Sequence, residues 1–474
     1  MKLLVIGIDA LMPDILFENI DEYPTLKKLV GTGAAGNYDG YVYGYGSHDN
    51  WVSMYTGLSP EENQIVSGKF QPENRLPRLY DYSHRETIWR VLNDHGYKVG
   101  MWKGLVTAPP EAINGYMVSG ELPFDDYYND PEIALEGHML VEKDEYLHEL
   151  FVGEMPKRKD PKSPTAFGYT WDELFENPNL VEGFLDEKYF EEGYQYLKDM
   201  LDYSLENIRR VNEKQKVDMF WFYFGLLDYL GHFTMHDNNK TLVKKAIKDI
   251  DYFIQEMINI FQPENILVIS DHGQLPYKDY FPNTSEKVIR EAFGLSDDCI
   301  FPKNKIILKA RNKGFMTSFH SLKGMILYNG KEIKKSTIQG TRVIDIYPTI
   351  LELFNIKVPE GRKGYIPDIF NKHELVNKDR KLGDYLPTFN EKVLIVQTCE
   401  VNVMNSYFSK YFYQNRFKDI YVLGQEKYRD IFLAGDHIKG FISVNEKYDK
   451  SKFVDIVVPY KNNRSDEFEF ISIK

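Results

Sequence analysis

Cysteine is nearly absent: the 474-residue chain has two, Cys299 and Cys399, far apart and in no CxxC or zinc-finger spacing. That excludes a disulfide framework and points to a reducing compartment. A lysine/arginine block is also missing, and the net charge is −13. Nucleic-acid polymers and anionic membrane surfaces both demand a basic footprint, so neither is expected as a main partner. A small anionic substrate stays compatible, because bound metal reverses the local field. No stretch approaches the roughly twenty apolar residues that span a bilayer. The N-terminus, MKLLVIGIDA, starts like a signal peptide, but its apolar run ends at Asp9 and no small-residue cleavage site follows. A cytoplasmic protein is expected. Internal repeats and low-complexity tracts are missing too.

What is present reads as a folded α/β chain. Hydrophobic residues make up 43% and aromatics 15%. The length exceeds one ordinary core, so two domains, or one large domain with insertions, are expected. LLVIGI (3–8) is a continuous apolar run of the kind buried on both faces of a parallel sheet. Asp9 follows at its C-terminal end, where open α/β sheets place ligands. Pro24-Thr25 opens a helix that stops at Gly31 and Gly33, and ETIWRVLNDH (86–95) gives another that leads into a strand at KVGMW. Apolar residues recur at steps of three and four through Phe190, Tyr194, Leu197, Leu201, Leu205 and Ile208. They do so again through Val243, Ile247, Ile250, Ile254, Met257 and Phe261, which predicts two long amphipathic helices. Strands are expected at DMFWFYFG (218–225), NILVIS (265–270) and MILY after Gly324, and a helix at DIYPTILELF (345–354). Between about 105 and 185 the periodicity fades and Pro, Gly, Asp and Tyr crowd in, as in a cap or insertion that shapes substrate access. Alternation restarts near residue 390: VLIVQT, a helix near 403–416, DIYVLG, a helix near 426–434, GFISV and DIVVPY. This predicts a small α/β module over 390–474 beside a main domain over 1–375.

The stretch GYGSHDNWVSMYTG (44–57) organises the chemistry. Gly44 and Gly46 break a loop that delivers Ser47, and the apolar run Trp51–Tyr55 closes on Thr56-Gly57. The pattern predicts a serine at the start of a short helix, where exposed N–H groups attract a phosphate-like anion and favour an ionised hydroxyl. Alone, such a serine is more often a cap or turn residue. Asp9, Asp228, His232, Asp271, His272 and His320 change that weighting, because all fall at expected strand ends. Asp228 and His232, in DYLGH, are spaced to point at one ion from a single helical turn, and Asp271-His272 follow a buried strand where the chain turns. Singly, Asp9 reads as a turn cap, His232 as a surface histidine and His320 as a structural one. Jointly, these aspartates and histidines meeting at one sheet edge predict a metal centre. The mixture of imidazole and carboxylate suits zinc or manganese better than magnesium or calcium, which prefer oxygen alone.

These motifs, in this order, resemble the alkaline phosphatase superfamily and, within it, the type I phosphodiesterase/nucleotide pyrophosphatase family, over roughly residues 1–370. The resemblance rests on the strand ending in Asp9, on Ser47 nine residues before Thr56-Gly57, and on Asn50 three further on. It also rests on DYLGH, on SDHG (270–273) and on His320 with Gly324; 106–123 and 345–364 look like family segments as well. It implies an alkaline-phosphatase-like fold, a mostly parallel central sheet flanked by helices with a cap insertion; the small C-terminal α/β module falls outside the resemblance. It implies two divalent metal ions, zinc foremost and manganese as the alternative. One would be held by Asp9, Asp271, His272 and the Ser47 oxygen, the other by Asp228, His232 and His320. Ser47 would be the nucleophile that forms a phosphoseryl intermediate, and Asn50 with nearby backbone N–H groups would hold a phosphoryl oxygen. Two departures stand out. SPEENQI (59–65) puts Asn63 where the family often has a histidine that is not a ligand, and YVYGYG before Ser47 lacks the usual proline, which bears on substrate preference.

The implied activity is hydrolysis of phosphodiester or nucleotide pyrophosphate bonds in a small phosphorylated substrate such as a nucleotide. A homo-oligomer is compatible with this. Phe124, Tyr127 and Tyr128 in the cap are candidates to stack a nucleobase, although an aromatic-rich fold is the plainer reading. A phosphomonoesterase, phosphonate hydrolase or phosphoglycerate-mutase-like phosphotransferase on the same fold would be marked by Arg85 or Arg90 reaching the site. A sulfatase is disfavoured, since Ser47 is not followed by the Pro and Arg that a sulfatase's modified residue requires. A non-catalytic binding protein would suit the C-terminal module but leaves the complete ligand set unexplained.

Overall fold

The computed structural model describes residues 1–39, 46–66, 68–73, 75, 77–120, 139–141, 187–234, 240–276, 284–285, 287–288, 308–309, 315–316, 318–321, 323–372, 374–380, 392–398, 419–433, 438–461 and 468–472. Both cysteines, most of the cap region with Phe124, Tyr127 and Tyr128, and the helix expected near 403–416 lie outside the described residues; within the expected cap, Gly115–Ser119 and Met139–Val141 are strands of the central sheet. The chain divides into two compact units, Met1–Gln274 with Ser318–Asp384, and Leu275–Thr317 with Tyr385–Lys474. No helix among the described residues is long and apolar enough to cross a membrane.

The first unit is built on a nine-stranded sheet. Its strands are β1 (Leu3–Ile8), β2 (Ala34–Asp39), β3 (Val99–Gly104), β4 (Gly115–Ser119), β5 (Met139–Val141), β6 (Met219–Phe224), β7 (Asn265–Ile269), β8 (Lys323–Gly330) and β9 (Ser336–Ile338). They lie in the order β9-β2-β8-β7-β1-β6-β3-β4-β5. The run β7-β1-β6-β3-β4 is parallel throughout, whereas β8 runs antiparallel to both of its neighbours and β5 antiparallel to β4. Every residue of β1 and β6 is buried, as continuous apolar strands covered on both faces must be. Alternate residues feed opposite cores. Leu3, Val5, Met219, Trp221, Leu267 and Ile269 face one side, and Leu4, Ile6, Phe220, Phe222, Ile266 and Val268 face the other.

Amphipathic helices close both faces. On the second face lie α4 (Glu187–Lys214) and α6 (Thr241–Phe261), which bury Leu197, Leu201 and Ile208, and Ile247, Ile250 and Ile254. On the first lie α2 (Ser47–Thr56), α3 (Ile88–Asp94) and α7 (Ile346–Leu353). The helix α1 (Pro24–Thr32) has no cap of its own; Asp251 of α6 supplies one, accepting from Thr25 N at 3.1 Å and Leu26 N at 2.7 Å. The short helix α5 (Leu226–Thr234) follows β6 directly.

The second unit carries β10 (Lys392–Val396), β11 (Asp419–Gly424), β12 (Ile438–Ser443), β13 (Asp455–Lys461) and β14 (Phe468–Ser472) in the order β12-β11-β10-β13-β14. The first four are parallel and β14 closes the sheet antiparallel, around Leu394, Phe453 and Ile456. The expected architecture is therefore present: a mostly parallel central sheet flanked by helices, and a small C-terminal α/β sheet.

Candidate active site

The site forms where parallel strands end together. Gly7 pairs with Ile269 and Ile8 with Phe224, so the C-terminal ends of β7, β1 and β6 are level. Asp9 follows β1, Asp271 lies two residues beyond β7, and Asp228 sits in the first turn of α5 after β6. The backbone turns sharply after Asp9: Ala10 has φ 56°. Its N–H points at Asp271 Oδ1 (3.4 Å), and Leu11 N donates to Ser270 Oγ (2.9 Å), so the two strand ends are tied to each other.

Ser47 arrives from the other side. It is the first residue of α2, behind Gly46 in extended conformation. The helix approaches the sheet closely because Gly7 has no side chain: a Cβ there would lie 2.5 Å from the Trp51 ring. Trp51 also stands edge-on to Tyr223, 5.0 Å between centroids. At the helix start, Asp49 is buried and accepts from Gly68 N at 2.9 Å. This brings Ser47 Oγ within 3.3 Å of Asp9 Oδ1 and 3.1 Å of His272 Nε2. Asn50 Nδ2 donates to the Asp271 carbonyl at 3.2 Å, so the expected phosphoryl-oxygen ligand also fastens α2 to the strand end.

The histidines complete the arrangement. His272 Nδ1 lies 3.0 Å from the Gly273 carbonyl, which accepts its proton and turns the Nε2 lone pair inward. There Nε2 faces Asp9 Oδ1 and Asp271 Oδ2, both at 3.3 Å. An imidazole lone pair between carboxylates is unfavourable unless a proton or metal ion lies between them. His320, in the strand Ser318–Ser321, reaches Asp228 Oδ1 at 3.3 Å and stacks on His272 with centroids 3.7 Å apart. Two groups of metal-ligating atoms result, Asp9–Asp271–His272 and Asp228–His272–His320, each with its atoms within 4.8 Å of one another. His272 belongs to both groups, whereas the resemblance implied it for one ion only. His232 lies in α5, four residues after Asp228, and its side chain is outside the described residues.

The electrostatics are those of a site short of positive charge. Burial, then the charge of Asp228, pushes the Asp9 carboxyl up to about 7, against a hydrogen bond from Tyr223. Burial and the neighbouring Asp9 hold the Asp271 carboxyl well above the usual carboxylate range. Asp271 Oδ2 is buried with no hydrogen-bond partner. Buried polar atoms are rarely left so. An oxygen without a donor, beside a second buried carboxylate and an inward imidazole lone pair, fits a divalent ion of the kind that the donor set favours.

Three residues of the site were not read from the sequence. Tyr223 donates its hydroxyl to Asp9 Oδ2 at 2.7 Å, Gln274 donates to Asp228, and Ser270 ties Leu11 to the His272 carbonyl. Each lies within a few positions of a ligand, and the question of what holds the ligands' remaining lone pairs points to them. Arg90 forks onto Glu111 and is engaged there. Among the described residues no arginine bonds Ser47 or Asn50.

The profile of the family described as type I phosphodiesterase / nucleotide pyrophosphatase matches residues 3–431. The match runs past residue 370, where the motifs placed its limit, and takes in β10 and β11 of the second unit. No curated protein matches the sequence. Among solved structures the chain is similar to murine ectonucleotide pyrophosphatase/phosphodiesterase 5, at 14% identity and TM-score 0.44, over 76% of this chain and 97% of that one. An inactive form of that murine protein in complex with AMP gives the same figures. The human protein gives 14% identity and TM-score 0.47 over 78% of this chain and 100% of that one. A profile that spans both units in one continuous match, with its acids and histidines gathered at one sheet edge, decides the matter: the chain belongs to the type I phosphodiesterase/nucleotide pyrophosphatase family and is a phosphoric ester hydrolase of that type.

Proposed function

We propose that the chain cleaves phosphodiester or nucleotide pyrophosphate bonds with Ser47 as nucleophile at a centre that takes two divalent ions, zinc foremost. The observation that carries this is the placement of Ser47 Oγ, at a helix start, 3.3 Å from Asp9 Oδ1 and 3.1 Å from His272 Nε2. Asp9, Asp271 and His272 would hold one ion beside Ser47, and Asp228 and His320, with His232 from α5, the other. When bound, the ions lower the pKa of the hydroxyl and balance charge on the attacking and leaving oxygens.

Ser47 Oγ, its proton lost to solvent, attacks phosphorus in line with the leaving oxygen. The P–O bond to the leaving group breaks and that oxygen takes up a proton. Water then attacks the phosphorus of this serine ester, the P–Oγ bond breaks, Ser47 Oγ takes back a proton and the phosphomonoester product leaves. The second hydrogen of the Asn50 amide and the N–H groups of Ser47 and His48 at the start of α2 would hold the phosphoryl oxygens. Asn50 favours diesters, because monoesterases of this superfamily tend to grip a dianionic phosphoryl group with arginine, and Arg90 is engaged with Glu111.

The test compares bis-p-nitrophenyl phosphate with p-nitrophenyl phosphate on metal-stripped protein refilled with zinc or manganese. Faster diester cleavage, abolished in Ser47→Ala with metal content retained, is the expected result. Wild-type rates in Ser47→Ala, or faster monoester cleavage, would overturn the nucleophile or the substrate class respectively.

A further inference from the structure

The residue after Ser270-Asp271-His272-Gly273 is Gln274, which is 3% exposed. Its Nε2 donates to Asp228 Oδ1 at 2.6 Å and to the Asp228 carbonyl at 2.9 Å. A primary amide nitrogen carries two hydrogens, so both bonds form at once. Together they fix the carboxylate of Asp228 against its own main chain. The amide reaches this position because residue 231, on the same helix as Asp228, is glycine. A Cβ on Gly231 would lie 1.7 Å from Gln274 Oε1. From the other side His320 Nε2 approaches the same Asp228 Oδ1 at 3.3 Å. Gln274 thus links the strand end that bears Asp271 and His272 to the helix that bears Asp228. Being neutral, the amide orients the carboxylate without cancelling its charge, as a lysine would.

We propose that Gln274 is a positioning residue for the Asp228–His272–His320 metal group, and that Gly231 is glycine to admit its amide. The inference rests on the two-ion reading above. Partners that orient metal ligands are worth about 10- to 100-fold in metal affinity. The metal-stripped full chain is titrated with zinc in competition with a chromophoric chelator. Wild type is expected to bind in two steps. Gln274→Met, near in shape but without a donor, is expected to weaken by about 10- to 100-fold the step that Asp228→Asn removes, and to leave the other unchanged. Its metal-free protein should melt modestly below wild type, since two buried hydrogen bonds are lost. Gly231→Ala, which displaces the amide, should give the same selective loss, and the double variant should lose little more than either alone. Unchanged affinity in Gln274→Met would refute the role. So would an equal loss at both steps, the mark of a structural residue. A wild type that binds no second ion overturns the two-ion reading itself, which separates the two failures.

Discussion

Two neighbourhoods of buried carboxylates in the first unit have opposite surroundings. Beside α7, Glu352 accepts from Val376 N and Asn377 N at 3.0 Å, from Asn377 Nδ2 at 2.8 Å, and pairs with Lys372 Nζ. Asp345 accepts from Arg342 N and Tyr365 N at 2.8 Å, with the Arg342 guanidinium 3.3 Å away. At the strand ends, Asp9 and Asp271 are equally buried, yet they face each other, Asp228 and a histidine, and Asp271 Oδ2 has no hydrogen bond. The first set fastens chain segments and is saturated with donors. The second is crowded with like charge and short of donors, which folding alone does not explain and a bound cation does.

That contrast can be broken most directly at Asp9. Asp9→Asn should lose metal and at least about 100-fold in turnover, the upper end of what even outer partners of metal ligands contribute. The metal-free variant should nonetheless melt at or above wild type at neutral pH. A clear fall in metal-free melting temperature would make Asp9 a fastener like the others. Glu352→Ala should do the reverse. It strands the N–H groups of Val376 and Asn377, at a cost of about 1–3 kcal/mol for each by denaturant unfolding, with the metal content of the folded fraction unaltered. Loss of metal at full stability would contradict the division.

The pH dependence sharpens it further. The folded pKa of Asp9, about 7, lies above the ordinary 3.8, so the native state keeps a proton that the unfolded chain has released. Metal-free stability should therefore fall as pH rises from about 4 to about 7. Burial also lifts Asp345, against Arg342, but to about 6. Zinc should remove the Asp9 share of this decline across the whole range and leave the share of Asp345, which ends near pH 6; thermal melts with and without zinc read this out, and identical slopes would count against a cation at Asp9. The smallest effect is expected from Tyr223→Phe. Loss of its hydrogen bond to Asp9 should cost about 1 kcal/mol of stability and about tenfold in zinc affinity, measured by chelator competition. Unchanged affinity would leave Tyr223 a packing residue.

The sequence makes one half of this contrast readable. Asp9 ends an apolar run, Asp271-His272 end another, and Asp228 lies in a recognisable pentapeptide, so period and position alone bring them to one edge. The same applies to α6, whose apolar stripe has the spacing of a helix, and to Ser47, which opens α2. What could not be read depends on side-chain reach across long separations. The sharing of His272 between two groups follows from the ring of His320 stacking on it, and Asp251 caps a helix more than two hundred positions away. Strands β2 and β4, each one place in from an edge of the sheet, were missed because neither AAGNYD nor GYMVS is a continuous apolar run of the kind that marks the central strands.

Gly7 carries a consequence of another kind. It lies within β1 and has no atom to offer a substrate, so a survey of active-site contacts would pass over it. Yet the Trp51 ring occupies the place where its side chain would be, and the first turn of that same helix holds Ser47. A drifting lineage that gains one methyl group there would keep every ligand and its serine while shifting the serine relative to them. Such a sequence would still look like a working member of the family, and loss of activity would leave no trace among the residues usually checked for it.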